Sequence, residues 1–144
     1  MNSKAIIAIL VLSVVGFLLG WLIFGILLMG FYTSHMVSYN GLMKDPPDIL
    51  MIFFSNLTWA VLLVYVFNFL ASVKTIAKGA VAGMILTFLI CLGFDLFMYA
   101  SMNLYSGATG LIVVDVLANA FLGAVLGGIA GWILGMGKTE TQTA

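Results

Sequence analysis

Residues 110–136 read GLIVVDVLANAFLGAVLGGIAGWILGM, and Asp115 is their only charged side chain. About 20 apolar residues of α-helix cross a hydrocarbon core of about 30 Å, so this stretch is long enough to span a bilayer. Every fourth residue from Asp115 is Asn119, Gly123, Gly127, Gly131 and Gly135. Residues four apart share one ridge of a helix. The stretch therefore predicts a helix with a ridge that is small toward its C-terminal end and polar toward its N-terminal end.

Working outward, residues 79–102 repeat the arrangement: Gly79, Gly83, Thr87, Cys91, Asp95 and Tyr99, with Asn103 one step beyond. Two further apolar blocks, 5–31 and 48–71, bring the total to four. The 48–71 block carries a weaker ridge through Asn56, Ala60, Val64 and Asn68, and the first block offers Ser13, Gly16 and Gly20. A lone strand in lipid leaves its backbone groups unsatisfied, and the alternation of a membrane barrel is absent. Composition agrees, with 64% hydrophobic and 7% charged residues and a mean hydropathy of +1.25, where a soluble domain carries about a quarter charged residues. The expected fold is all-α: a polytopic membrane protein, a four-transmembrane-helix bundle forming one domain over residues 1–144. The first block is expected to be an uncleaved helix, because its apolar run is about twice the 7–15 residues of a signal core.

Charge sets the expected topology. Lys4, Lys74, Lys78 and Lys138 fall on one side of a four-span arrangement and Lys44 on the other. The positive-inside rule makes the four-lysine side cytoplasmic, with both termini inside. The run Asp45-Pro46-Pro47-Asp48 reads as a helix start, with Asp45 as N-cap, Pro46 in the first position and Asp48 in the first turn. Tyr32, Tyr39, Tyr99 and Tyr105 gather near the outer boundary as an interfacial aromatic belt. Short links between the later blocks predict that sequential helices are antiparallel neighbours.

An ionisable group at membrane depth is costly and marks a partner or a task, which singles out Asp95 and Asp115. Counting ~1.5 Å per residue up from Lys74, Lys78 and Lys138 puts Asn56, Asp95 and Asn119 at ~26–28 Å and Asp115 at ~34 Å. The expected ligand-binding group is Asp95, oriented by Asn56 and Asn119, with Asp115 at the mouth. Gly16, Gly20, Gly79, Gly83, Gly123, Gly127, Gly131 and Gly135 are expected to serve helix packing, since small residues let helices approach closely in lipid. The functional expectation is binding or translocation of a proton, cation or small polar solute at an outer-facing polar cavity. The alternative is a structural or accessory membrane subunit that assembles through the glycine-rich faces.

Other chemistry finds little footing. His35 is the single histidine and Cys91 the single cysteine, so an intramolecular disulfide is impossible and no zinc-ligand spacing occurs. Ser34 and His35 are neighbours in sequence only, and no nucleophile has a base. No enzyme activity, metal or cofactor is expected, and a net charge of +0 gives no reason to expect nucleic acid. The expected partners are the lipid bilayer and a homo-oligomer or larger membrane complex. Residues 16–31, with Leu19-Gly20-Trp21 at their centre, together with 41–47 and 93–104, resemble a family of small four-helix bacterial integral membrane proteins classed as a domain of unknown function. The resemblance implies a multi-pass protein of the bacterial cytoplasmic (inner) membrane and brings no activity with it.

Overall fold

The computed structural model describes residues 3–105 and 109–136. Their regular structure is helical: α1 (Ser3–Gly20), α2 (Met29–His35), α3 (Ile49–Tyr65), α4 (Ile76–Ser101) and α5 (Thr109–Gly135). Two π-helical segments prolong α1 and α3, over Trp21–Leu27 and Val66–Leu70. Four helices are long and apolar enough to cross a membrane: Ser3–Leu27, Ile49–Leu70, Ile76–Ser101 and Gly110–Gly135. The protein is an all-α helical bundle of the multi-pass membrane type. Its outer surface carries exposed Leu10, Leu18, Phe97 and Phe121, which suits contact with lipid chains and not with water.

Two local expectations need correction. The first span does not run unbroken to residue 31. Its turns widen to the i→i+5 pattern, with Leu28 N–H donating to the Ile23 carbonyl at 2.8 Å, and a separate short helix, α2, follows. The second span starts later than the proline run suggested. Asp48, not Asp45, is the N-cap, with its side chain accepting from Met51 N–H at 3.1 Å. Pro46 and Pro47 lie before the helix, and Asp48 holds the extended backbone that an N-cap adopts.

The bundle is built from small residues. A Cβ on Gly79 would lie 2.1 Å from the Gly127 carbonyl oxygen, and one on Gly83 2.2 Å from that of Gly123. Gly131 and Gly135 approach the Thr75 and Lys74 carbonyls equally closely. α4 and α5 are thus in backbone contact over their inner halves, where no other residue type fits. On the other side of α5, α1 inserts Ala5, Ala8, Leu12 and Ser13, all essentially buried. Ala5, Ala8 and Leu12 join Ala60, Leu63, Val64 and Phe67 of the second span and Ala130, Ile133 and Leu134 of α5 in one core. Gly16 faces Asn56 and Leu126, whereas Gly20 meets nothing within 4 Å.

Spatial order departs from chain order. The close pairings are α4 with α5, α1 with α3 and α1 with α5, while α3 and α4 scarcely touch. The short link between their blocks, about seven residues by sequence, predicts neighbours. The glycine seam draws α4 onto α5, and the small face of α1 draws α3 the other way. The widened turns at Val66–Leu70 and a left-handed Ser72, φ 49°, let the short link bridge helices that splay apart. The row α3–α1–α5–α4 therefore curves around a gap.

Lys4 Nζ donates to the Met136 carbonyl, and the Lys74 carbonyl abuts Gly135. The start of α1, the end of α5 and the α3–α4 link thus meet at one end of the bundle; Lys138 lies outside the described residues. At the opposite end Val37 N–H donates to the Leu104 carbonyl at 2.8 Å, and the Tyr39 hydroxyl to that of Asn103 at 2.9 Å. The segment after α2 is thereby tied across the α4–α5 connection.

Candidate functional site

The glycine contacts set the register of α4 against α5, and the register places the acids. Gly79 opposes Gly127 and Gly131, Gly83 opposes Gly123, and Thr87 lies against Gly123. Continuing those steps outward brings Cys91 and Asp95 on either side of Asp115. One ligand atom from each of Cys91, Asp95 and Asp115 lies within 4.8 Å of the others. Asp115 does not stand apart at the mouth, as the depth count suggested. That count treated Lys78 and Lys138 as level, whereas the glycine contacts slide α5 inward relative to α4.

Asp115 is the best-connected member. Its carboxylate accepts from the Tyr32 hydroxyl, from the Cys91 thiol at 2.9 Å and from Asn119 Nδ2 at 2.9 Å. Asn119 also donates to the Asp115 carbonyl at 3.0 Å. Asn119 therefore orients Asp115 and not Asp95. Asp95 is 7% exposed; the Cys91 thiol approaches it at a long 3.6 Å, and its carboxyl lies within hydrogen-bonding reach of the Asp115 carboxyl. Asn56 donates to the Ile52 carbonyl of its own helix at 2.9 Å and stands across the gap, outside the cluster.

Tyr32 and Cys91 are the residues that sequence reasoning passed over. The sequence places Tyr32 in the aromatic belt, just past the end of the first apolar block at residue 31. The interruption at Leu28 separates α2 from the first span, and the Tyr32 phenol on α2 reaches Asp115. Burial, and then the hydrogen bond to Asp115, pushes the Tyr32 pKa well up, so the phenol remains a donor. Burial raises that of Tyr105 as well, reinforced by the nearby carboxylates. Cys91 was visible in the ridge Thr87–Cys91–Asp95, but its partner lies on another helix. His35 is remote from this chemistry: its ring stacks on Phe31 with centroids 4.2 Å apart.

Cluster and gap form one cavity of about 610 Å³. α5 forms its floor, α3 and α4 its walls, and Tyr32, Met36, Leu104 and Tyr105 close the outer end. The donors on the two carboxylates are a phenol, a thiol and an amide, none of them charged. Two adjacent carboxylates in a medium of low dielectric need a compensating positive charge. A proton shared between them supplies it, and so does a bound cation. A thiol with two carboxylates is also a donor set that suits a divalent ion of borderline softness. The chain matches no family model, no curated protein and no solved structure.

Proposed function

We propose that the protein binds a cation, a proton included, at the Asp95–Asp115 pair, as a binding or translocating membrane protein and not as an enzyme. The observation carrying this reading is the convergence of two carboxylates from different spans, at the head of a 610 Å³ cavity, with uncharged donors alone beside them among the described residues. Tyr32 and Asn119 hold Asp115 in place, while Asp95 lines the cavity beside the Cys91 thiol and the Asp115 carboxyl. In the same reading the lysine-bearing end of the bundle faces the cytoplasm of a bacterial cell, and the cavity lies in the outer part of the inner membrane.

The test uses protein reconstituted in lipid nanodiscs. Infrared titration should show a protonated-carboxyl stretch that disappears on alkalinisation or on adding Zn²⁺, and that is lost in Asp95→Asn or Asp115→Asn. No Zn²⁺ binding, together with no titrating carboxyl at any pH, would sink the proposal. The alternative, an accessory subunit assembling through glycine faces, draws less support. Gly79, Gly83, Gly127 and Gly131 are already occupied by contacts within the chain, and of the expected packing glycines Gly20 alone has nothing within 4 Å.

A further inference from the structure

The cavity has an apolar half that a small ion leaves unused. Inward of the carboxylates it is lined by Leu12, Leu63, Leu86 and Leu126. Its rim between α3 and α4 includes Trp59, Ile90 and Phe94, which are 48%, 37% and 61% exposed. These rim residues lie within the membrane-spanning segments, so the mouth opens sideways at hydrocarbon level. The outer end, by contrast, is covered by Tyr32 and Tyr105.

We infer that the occupant is an amphiphilic amine entering laterally from the bilayer, its cationic nitrogen between Asp95 and Asp115 and its hydrocarbon chain along the leucine-lined half. This rests on the cation-binding reading and names the class of cation. Three observations carry it. Charge complementarity selects a cationic head and rejects a phosphate or carboxylate, since among the described residues the polar end holds two carboxylates and no charged donor. Asp95, 7% exposed and lining the cavity, has the Cys91 thiol at a long 3.6 Å and the Asp115 carboxyl beside it, so an ammonium N–H can take the place of a proton held between the two carboxyls. The 610 Å³ volume falls within the ~300–1,000 Å³ of pockets that enclose organic ligands, far more than a bare ion needs.

Trp59 on the rim is the reporter. In a Trp21→Phe, Trp132→Phe chain reconstituted in phosphatidylcholine nanodiscs, a dodecylamine brominated on its chain should quench Trp59 saturably. Unbrominated dodecylamine should reverse the quenching, and dodecanoate should not. Asp95→Asn with Asp115→Asn should weaken the saturable component by roughly thirty-fold or more. Ile90→Phe narrows the mouth and leaves the carboxylates untouched; it should impair dodecylamine binding and spare Zn²⁺ binding. Quenching that never saturates and is equal in the Asn variants would mean partition into the bilayer alone and would overturn the inference. Competition by methylammonium as strong as that by dodecylamine would also overturn it, while leaving the cation reading intact. If neither amine nor Zn²⁺ binds and no carboxyl titrates, both readings fall.

Discussion

Cys91 sits between Asp95 and Asp115: its single S–H donates to Asp115 at 2.9 Å, with Asp95 as the alternative acceptor at 3.6 Å, so the thiol links the two carboxyls. Cys91→Ser keeps a donor at that point and should be tolerated. Cys91→Val removes it and should lower stability by about 1–3 kcal/mol, as expected when a buried acceptor loses its partner. Thermal unfolding of the two variants in nanodiscs separates these outcomes. Tyr32 supports Asp115 from outside the spans. Tyr32→Phe should cost about 1–2 kcal/mol for the same reason. Because burial and Asp115 hold the Tyr32 proton more tightly than in the unfolded chain, the folded form retains a proton that the unfolded form loses above about pH 10. Stability should accordingly fall as pH rises beyond that value. The wild-type chain should show this alkaline loss, and Tyr32→Phe should show less of it in unfolding curves taken at successive pH values.

At the scale of elements, the α4–α5 seam decides where the acids meet. Gly83→Ala places a methyl 2.2 Å from the Gly123 carbonyl oxygen, backbone that cannot rotate away. The helices must separate, at a cost of about 1–3 kcal/mol. Gly93 lies on the same helix with nothing within 4 Å. Gly93→Ala should be neutral or stabilising by up to about 1 kcal/mol through helix propensity. Equal effects of the two substitutions on unfolding would contradict the register described above. The π-helical ends act at this scale too. Each places a wide turn where a span must change direction, one leading into α2 and Tyr32, the other into the link that lets α3 leave α4.

For the whole molecule, the testable quantity is orientation. In a Cys91→Ala background, single cysteines at Lys4 and Lys78 should be shielded from a membrane-impermeant thiol reagent added to intact cells. A cysteine at Lys44 should react. The reverse pattern would invert the topology and place the covered end of the cavity toward the cytoplasm. The alternative assembly role is tested at the same scale by native mass spectrometry, where the cation-binding reading requires no stoichiometric partner for Zn²⁺ binding.

The chain's composition and block lengths were enough to establish four spans, because the bilayer sets both the length and the polarity of a spanning helix. The i+4 ridges through Gly79–Asp95 and Asp115–Gly135 were also legible, since helical periodicity is local. What periodicity does not contain is the axial offset between two helices. Gly79 must settle against Gly127 and Gly131 before Asp95 and Asp115 become neighbours, and no spacing within either helix states that. The same holds for Tyr32, whose place depends on the break at Leu28, and for Asn56, which satisfies itself within α3. Sequence alone thus determined which residues lie on which ridge. Tertiary packing alone decided the register, the splaying of α3 from α4 and the cavity between them, because close backbone contact is a property of helix pairs and not of either helix.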